Sequence, residues 1–360
     1  MDFGLSDDQK LLAETARGFL ADKVSIDRVR ALREAEVWND RDIWKELGAL
    51  GLTGILVPEQ YGGSGLPLLE AALVAQAMGF AAAPTPFLTS AIMAPVALRT
   101  VGGDAVAPWL SGLATGDLQF GVAVTELWSV REEAGVHLAG GKLTGKSMMA
   151  WDAMGADFIL VALSADTFAV VRGDASGLVR ERLLTIDATR CSAELVFEGV
   201  EAEAVFEGAQ EAITRMMQAG RIALAADSLG ACESMVGQAV AYAMERKQFN
   251  RVIGSFQAVK HMCAEMIADL EPARSLLWYA AHSFDTLPAE APLMALHVLA
   301  HVSEIGHEIA SVSTQVHGGT GWTDEQNLHF WFKRLGVARH QLAGPEWLRE
   351  QAAIVQGLAA

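Results

Sequence analysis

The segments MERKQFNRVIGSFQ (residues 244–257) and QVHGGTGWTDE (residues 315–325) decide the fold of this chain. The first places Arg246, Lys247 and Arg251 close together, and such a cluster can bind a pyrophosphate. Charge alone is equally compatible with a solvated basic end of a helix. The paired glycines of the second let backbone N–H groups approach a phosphate or an adenosine, although such turns also join helices without any ligand. The two segments therefore gain meaning only in combination.

The charge balance of the chain argues against one class of partner. Its 360 residues include 27 Lys and Arg against 44 Asp and Glu, a formal net charge of −17. Such a charge repels a phosphate backbone, so we do not expect nucleic acid as a partner. Cys191, Cys232 and Cys263 are widely spaced and form no CxxC pair, which favours a reducing compartment over a disulfide framework. The opening MDFGLSDDQK lacks a signal segment, and no apolar run approaches the roughly 18 residues of a membrane span, so we expect a cytoplasmic protein with no membrane span.

The hydrophobic pattern divides the chain into three parts. Up to about residue 113 apolar residues recur at helical spacing behind a cap candidate at Ser6. The runs FGVAVTE, DFILVALS, TFAVVRG and AELVFEGV then predict short strands, and three long helical patterns follow. This predicts a mainly α fold with a small central β domain, with domains at residues 1–117, 118–207 and 208–360. Pro272 lies within one of the later helical patterns and predicts a kink or a break there.

In combination the two opening segments resemble the acyl-CoA dehydrogenase family, where ERxQFG…I…FQ precedes Q-x-x-GG-x-G-x-T-x-E. Further similar stretches are FGLSDDQK, ELGALGLTGILVPEQYGGSGL, AAPTPFL and the tripeptide VTE at residues 124–126, so the resemblance covers nearly the whole chain. It implies an N-terminal helical domain, a middle β-barrel-like domain and a C-terminal four-helix bundle. It also implies FAD as cofactor and an acyl-CoA thioester as substrate.

The resemblance assigns FAD contacts by position. The resemblance implies that Arg246 contacts the pyrophosphate of FAD, with Phe249 and Gln257 nearby. The residues implied to meet the adenosine-pyrophosphate part of a neighbouring subunit's FAD are Gln315, Gly318 and Gly319. The residues implied to line the isoalloxazine ring are Val124 and Thr125.

The catalytic base of the family is missing from both of its usual positions. The reaction removes a proton beside the thioester carbonyl, which requires a carboxylate with a suitable pKa. One position, directly before an Arg, is Gly220 here, and the other, directly before a Gly in the final loop, is Ala343. Neither side chain can accept a proton. This implies that a partner chain provides the base.

Three carboxylates lie near these positions in sequence and are possible substitutes with a shifted backbone: Asp227, Glu346 and Glu350. In the middle domain, Trp151 stands where the family has a flavin-contacting Thr. Flavin contacts on this chain are therefore expected to be incomplete. His297, His301 and His307 lack the HExxH spacing, since residue 298 is Val, so no metal site is predicted.

The tail HFWFKRLGVARHQLAGPEWLRE (residues 329–350) is similar to subunits of heteromeric acyl-CoA dehydrogenases that act on steroid or other bulky side chains. We therefore expect one subunit of a heteromer, with a heterotetramer or a homo-oligomer as the assembly and an electron-transfer acceptor for the reduced flavin. Two alternatives remain open: a catalytically silent homolog that binds or stabilises, and an enzyme of non-redox acyl-CoA chemistry.

Overall fold

A computed structural model describes residues 4–37, 39–129 and 131–359. Phe3, the first residue of the FGLSDDQK match, lies outside the described residues. The chain forms two compact units by its internal contacts. One comprises Met1–Ala31, Ala72–Ala83 and Arg221–Ala360, and the other comprises Leu32–Ala71 and Pro84–Gly220. The predicted domain bounds 1–117, 118–207 and 208–360 stay a prediction.

The helices follow the predicted periodicity. They are α1 (Asp7–Lys23), α2 (Ile26–Glu34), α3 (Arg41–Ala49), α4 (Leu68–Phe80), α5 (Ala94–Val101), α6 (Ala107–Thr115), α7 (Gln210–Glu245), α8 (Gln257–Thr286), α9 (Ala291–His317), α10 (Leu328–Ala338) and α11 (Pro345–Val355). Ser6 caps α1 as expected: its Oγ accepts from the Gln9 N–H at 3.2 Å, and the Gln9 side chain accepts from the Ser6 N–H at 2.9 Å. No helix of the described residues is long and apolar enough to cross a membrane.

Helix α8 corrects the expectation of a break at Pro272. The helix continues from Gln257 to Thr286 with Pro272 inside it. Proline removes one backbone donor, but Leu270, Ala273 and Leu277 around it are buried. Burial of this face therefore holds the helix together where local propensity alone would end it.

The second unit contains an eight-stranded sheet, as the alternating runs predict. Its strands are β1 (Phe120–Ala123), β2 (Gly135–Ala139), β3 (Lys142–Trp151), β4 (Phe158–Ala162), β5 (Phe168–Arg172), β6 (Leu178–Leu183), β7 (Ser192–Glu201) and β8 (Ala204–Phe206). The order is β6-β7-β3-β1-β4-β5-β8, with β2 paired to β3, and only β1 and β4 run parallel. All four residues of β1 are buried. The core of this unit is built from apolar residues of the central strands, such as Ile159, Val171 and Leu195.

Candidate functional site

The ERKQFN segment forms a tight hairpin at the end of α7. Strands β9 (Lys247–Gln248) and β10 (Arg251–Val252) pair antiparallel. The two turn residues have positive φ, 51° at Phe249 and 62° at Asn250, as a two-residue hairpin turn of the I′ type requires. Asn tolerates this conformation better than most residues, which explains how it can stand where the family pattern has Gly.

The hairpin presents its cations to solvent. Arg246 and Lys247 are exposed, and within the described part of the chain neither side chain has a hydrogen-bond or carboxylate partner. The Arg251 guanidinium lies 3.9 Å from the ring centre of Phe256, so part of its charge is directed at an aromatic face. The Phe249 ring is 88% exposed. An exposed, unneutralised cation can bind a phosphate group in an otherwise acidic protein.

The glycine segment lies at the end of α9. Gly318 has φ +65° and ends the helix, and Gly319 follows in a short 3-10 turn, Gly318–Trp322. A methyl group added at either glycine would meet no atom within 4 Å. Both glycines and Gln315 are exposed. The backbone here is therefore open to close approach by a ligand.

Two aromatic side chains connect the hairpin with the glycine turn. The rings of Tyr242 on α7 and His317 on α9 stack with centroids 4.6 Å apart. The Nδ1 of His317 lies 2.8 Å from the Ser313 carbonyl oxygen, which makes it the donor, and the Thr320 hydroxyl donates to the Tyr242 hydroxyl at 3.4 Å. His317 is thus a buried packing residue. Tyr242, one turn before Arg246, was not predicted from the sequence.

The geometry of this end fits the pyrophosphate and adenosine portion of FAD. The hairpin presents exposed cations, and the glycine turn presents an open backbone. The stacked rings of Tyr242 and His317 hold the glycine turn beside the end of α7. Gln257 is exposed at the first position of α8, directly after the hairpin. The hairpin and its continuation carry Arg246, Phe249 and Gln257, and the glycine turn carries Gln315, Gly318 and Gly319; their assignment to FAD stays a prediction.

Val124 and Thr125, in the other unit, offer less to a flavin ring. Both are buried, Val124 directly after β1 and Thr125 at the start of a 3-10 turn. The Thr125 hydroxyl donates to the Met149 carbonyl oxygen at 2.6 Å. Glu126 fixes the same turn by accepting from the Met148 N–H at 2.8 Å and the Ser147 hydroxyl at 3.0 Å. The side chains of Val124 and Thr125 therefore have no donor left for an isoalloxazine ring.

Trp151 ends strand β3 and is also buried. Its indole Nε1 has no hydrogen-bond partner in the described structure. A buried indole N–H without a partner costs free energy, so this position has an unmet capacity to donate a hydrogen bond.

The two positions of the missing base are buried. Gly220 lies within α7, and Ala343 is 1% exposed in the segment between α10 and α11. The backbone is left-handed at Leu342 and Ala343, with φ of 47° and 90°. Non-glycine residues adopt this region at a cost, which indicates that surrounding packing holds the segment in place.

Arg221, which follows Gly220, is a cation without a carboxylate. Its Nε donates to the Leu342 carbonyl oxygen at a long 3.4 Å, and its guanidinium carbon lies 5.3 Å from the ring centre of Trp347. It pairs with no carboxylate of the described chain. The residue keeps some exposed surface, but its charge lies among protein atoms, and this desolvation lowers the pKa of Arg221 to about 10.

The three nearby carboxylates are not arranged as a base. Asp227 is held by Arg334 through two hydrogen bonds of 2.9 and 2.6 Å, and both side chains are buried. Glu346 lies 3.6 Å from Arg339 on the surface, and Glu350 is exposed. A base needs a desolvated carboxylate with a free oxygen, so Asp227 is a structural residue and the other two lack the desolvation.

The three histidines all lie on α9, but they do not line one common pocket. His297 and His301 line a pocket of about 400 Å³ together with Arg349, whereas His307 is exposed. The Arg349 guanidinium is bound to Glu304. Within the described ranges no three potential metal ligands come together.

Comparison with known proteins identifies the family. Residues 6–117 match the acyl-CoA dehydrogenase N-terminal domain, and residues 207–341 match the acyl-CoA dehydrogenase C-terminal domain. These two matches span most of the chain. The chain belongs to the acyl-CoA dehydrogenase family.

Individual relatives resemble the chain over nearly its full length. The acyl-CoA dehydrogenase IpdE2 of Mycolicibacterium smegmatis is 27% identical over 349 residues, which is 96% of this chain and 97% of that protein. A chain of the ChsE4-ChsE5 complex from Mycobacterium tuberculosis is 25% identical, covers 100% of both chains and has a TM-score of 0.91. A variant of the Tcur3481-Tcur3483 steroid ACAD is 26% identical, covers 98% of both chains and has a TM-score of 0.89.

Proposed function

We propose that this chain is a subunit of an FAD-dependent acyl-CoA dehydrogenase and that a partner chain supplies the catalytic base. The reaction is α,β-desaturation of an acyl-CoA thioester. One observation carries the proposal: both positions of the family's base, Gly220 and Ala343, hold residues without a carboxylate, whereas the hairpin presents exposed cations and the glycine turn leaves its backbone open.

The residues proposed to hold FAD are of two kinds. Arg246 supplies charge to the pyrophosphate, with Phe249 and Gln257 beside it, and the open turn at Gln315, Gly318 and Gly319 supplies backbone donors. Val124 and Thr125 stay proposed neighbours of the isoalloxazine ring, which they would have to meet through backbone groups. FAD, when bound, supplies the hydride acceptor of the reaction.

The proposed partner is a second acyl-CoA dehydrogenase-like chain in a heterotetramer, with a homo-oligomer as the simpler alternative. Two structural relatives support the heteromer, because the ChsE4-ChsE5 complex and the Tcur3481-Tcur3483 steroid ACAD each carry two subunit names. The name of the Tcur3481-Tcur3483 steroid ACAD also supports a steroid or other bulky acyl group as substrate. An electron-transfer acceptor would reoxidise the flavin. We also propose a cytoplasmic location for the protein. We propose that the chain divides into domains at residues 1–117, 118–207 and 208–360.

The proposal is tested by producing the chain alone and together with a base-bearing family member encoded beside it. We expect the pair to bind FAD, measured by its visible absorbance, and to reduce an electron acceptor when bulky acyl-CoA thioesters are added. Arg246→Gln should weaken FAD retention by about tenfold to a hundredfold, because a charge-assisted contact contributes about 1.5–3 kcal/mol. Arg172→Gln is the control, since Arg172 is an exposed arginine paired with Asp174 in the other unit.

Three results would count against the proposal. Oxidation of acyl-CoA by the chain alone would remove the need for a partner. Loss of FAD by Arg172→Gln as well as Arg246→Gln would show that the effect is not specific to the hairpin. Absence of flavin absorbance in both preparations would favour a catalytically silent binding subunit, the alternative suggested by the buried Thr125 hydroxyl and by Trp151.

A further inference from the structure

Arg221 carries a buried charge that the described chain does not neutralise. Within the described residues its guanidinium meets the Leu342 carbonyl oxygen, 3.4 Å from Nε, and the face of Trp347, 5.3 Å from the guanidinium carbon. A neutral carbonyl at that distance compensates little of a full charge. Burial of the guanidinium lowers the pKa of Arg221.

Such an arrangement is unusual because charge in a protein interior is normally paired. The same bundle shows the usual solution at Arg334, whose guanidinium is bound on two nitrogens by Asp227. Arg221 and Arg334 are both desolvated arginines of one unit, yet just one has a carboxylate. An unpaired buried ion is unfavourable, so an anion that reaches Arg221 from outside the chain would be bound favourably.

The surroundings of Arg221 indicate what sort of anion fits. The guanidinium lies against an indole face, and the neighbouring Leu342 and Ala343 side chains are apolar and buried. A flat aromatic wall beside a cation suits an apolar ligand that ends in a carboxylate. Arg221 also directly follows Gly220, the position at which the family places a base next to the thioester carbonyl.

We propose that Arg221 binds a carboxylate carried on the acyl chain of a CoA thioester, within a few bonds of the thioester group. The inference rests on the proposed function, since it names the class of substrate for that site: acyl-CoA thioesters with a second, free carboxylate. The guanidinium offers two parallel N–H donors to such a group, which makes the contact selective for a carboxylate over an amide or a methyl group.

The test measures binding and needs no turnover. The chain, in complex with its partner, is titrated by calorimetry with two pairs of thioesters of equal carbon number: succinyl-CoA against butyryl-CoA, and adipyl-CoA against hexanoyl-CoA. We expect the carboxylated member of the short pair to bind about tenfold to a hundredfold more tightly, as a charge-assisted contact predicts, and the long pair to differ less.

Two variants separate ligand binding from a structural role. Arg221→Met should abolish the preference for succinyl-CoA while leaving butyryl-CoA affinity unchanged. Because it removes an uncompensated charge, it should also raise the melting temperature of the ligand-free protein, whereas a structural arginine would lower it. Arg221→Lys keeps the charge but not the paired donors, and should retain a small part of the preference. Arg349→Met, which removes an arginine already bound to Glu304, is the control and should leave the preference intact.

The outcomes also distinguish this inference from the proposed function. Equal affinity within the short pair, an unchanged preference in Arg221→Met, or no binding of either thioester would overturn the inference. A lowered melting temperature of Arg221→Met, or dissociation of its complex with the preference unaltered, would assign Arg221 to structure or to a partner's carboxylate and would also overturn it. A preference for succinyl-CoA in a complex whose flavin is reduced by no acyl-CoA thioester, bulky ones included, would keep the inference and refute the redox proposal.

Discussion

Replacing Arg334 with Met should be among the most destabilising single changes in the chain. Arg334 donates to Asp227 from Nε and Nη2 at 2.9 and 2.6 Å, and Nη1 lies 3.4 Å from the Ala83 carbonyl oxygen. The two side chains are 3% and 10% exposed. The variant removes two charge-assisted hydrogen bonds and leaves a carboxylate buried without its cation. Breaking a buried pair in this way costs about 3–5 kcal/mol.

The magnitude can be measured by urea unfolding followed by tryptophan fluorescence. Trp331 is a suitable reporter because it lies one turn before Arg334 and donates to the Phe80 carbonyl oxygen at 2.9 Å. The double variant Asp227→Leu/Arg334→Met removes both charges and should be less destabilised than Arg334→Met alone, since no ion is then stranded. The exposed Arg172, changed to Met, should show no measurable loss.

Two results would refute this reasoning. A loss below about 1 kcal/mol in Arg334→Met would mean that water reaches the pair, as at a surface ion pair. A double variant less stable than Arg334→Met would mean that the Asp227 side chain stabilises the bundle even without the Arg334 charge. Either result would also weaken the contrast with Arg221, because that contrast assumes that charges in this bundle are desolvated.

Three further predictions concern other parts of the chain. Gly230→Ala should lower the free energy of unfolding by about 1–3 kcal/mol, because the new methyl group would lie 1.9 Å from a backbone carbonyl oxygen. Gly237→Ala on the same helix meets nothing within 4 Å and should raise the free energy of unfolding, measured in urea, by about 0.5–1 kcal/mol. At pH 8 a thiol reagent should modify the half-buried Cys263 first. Burial raises the pKa of all three thiols, but it does so more at Cys191 and Cys232, which are also shielded until urea is added; rapid reaction of all three would contradict this. The hydrogen bond from Arg349 lowers the pKa of Glu304 below 4.5, so the ion pair stabilises the folded protein above that pH and loses this effect as the pH falls below it. Between pH 3 and 5 the melting temperature should therefore fall less steeply in Arg349→Met than in the wild type.

Much of the fold could be predicted because its signals are local. Helix α4 (Leu68–Phe80) lies within the stretch of helical spacing predicted up to about residue 113, and Ser6 caps α1 through its own neighbours. Strands β1, β4, β5 and β7 fall on the four predicted runs. Periodicity and capping depend on residues a few positions apart, which sequence reasoning can read directly.

The features that were missed depend on distant residues. Asp227 and Arg334 are 107 positions apart, and the sequence around either residue does not predict the ion pair. A break was one of the two outcomes expected at Pro272 because local propensity disfavours proline in a helix, but α8 continues through it with a buried face. The absent base at Gly220 was visible in sequence, whereas its consequence, a neighbouring Arg221 without a counter-charge, required the arrangement of the final segment around Leu342.

Salt should separate the two proposed anion sites. The chain carries a formal charge of −17, so an anionic ligand is repelled at long range and must be held by local contacts. Arg246 is exposed, and its attraction for a pyrophosphate is screened over about 8 Å at physiological ionic strength and about 3 Å at 1 M salt. Arg221 is desolvated, so a carboxylate in contact with it is screened far less. Raising sodium chloride from 0.1 to 1 M should therefore weaken FAD retention while leaving the ratio of succinyl-CoA to butyryl-CoA affinities nearly constant. If that ratio falls as steeply as FAD retention does, the charge of Arg221 is open to solvent, and the reason for expecting an anion beside it is lost.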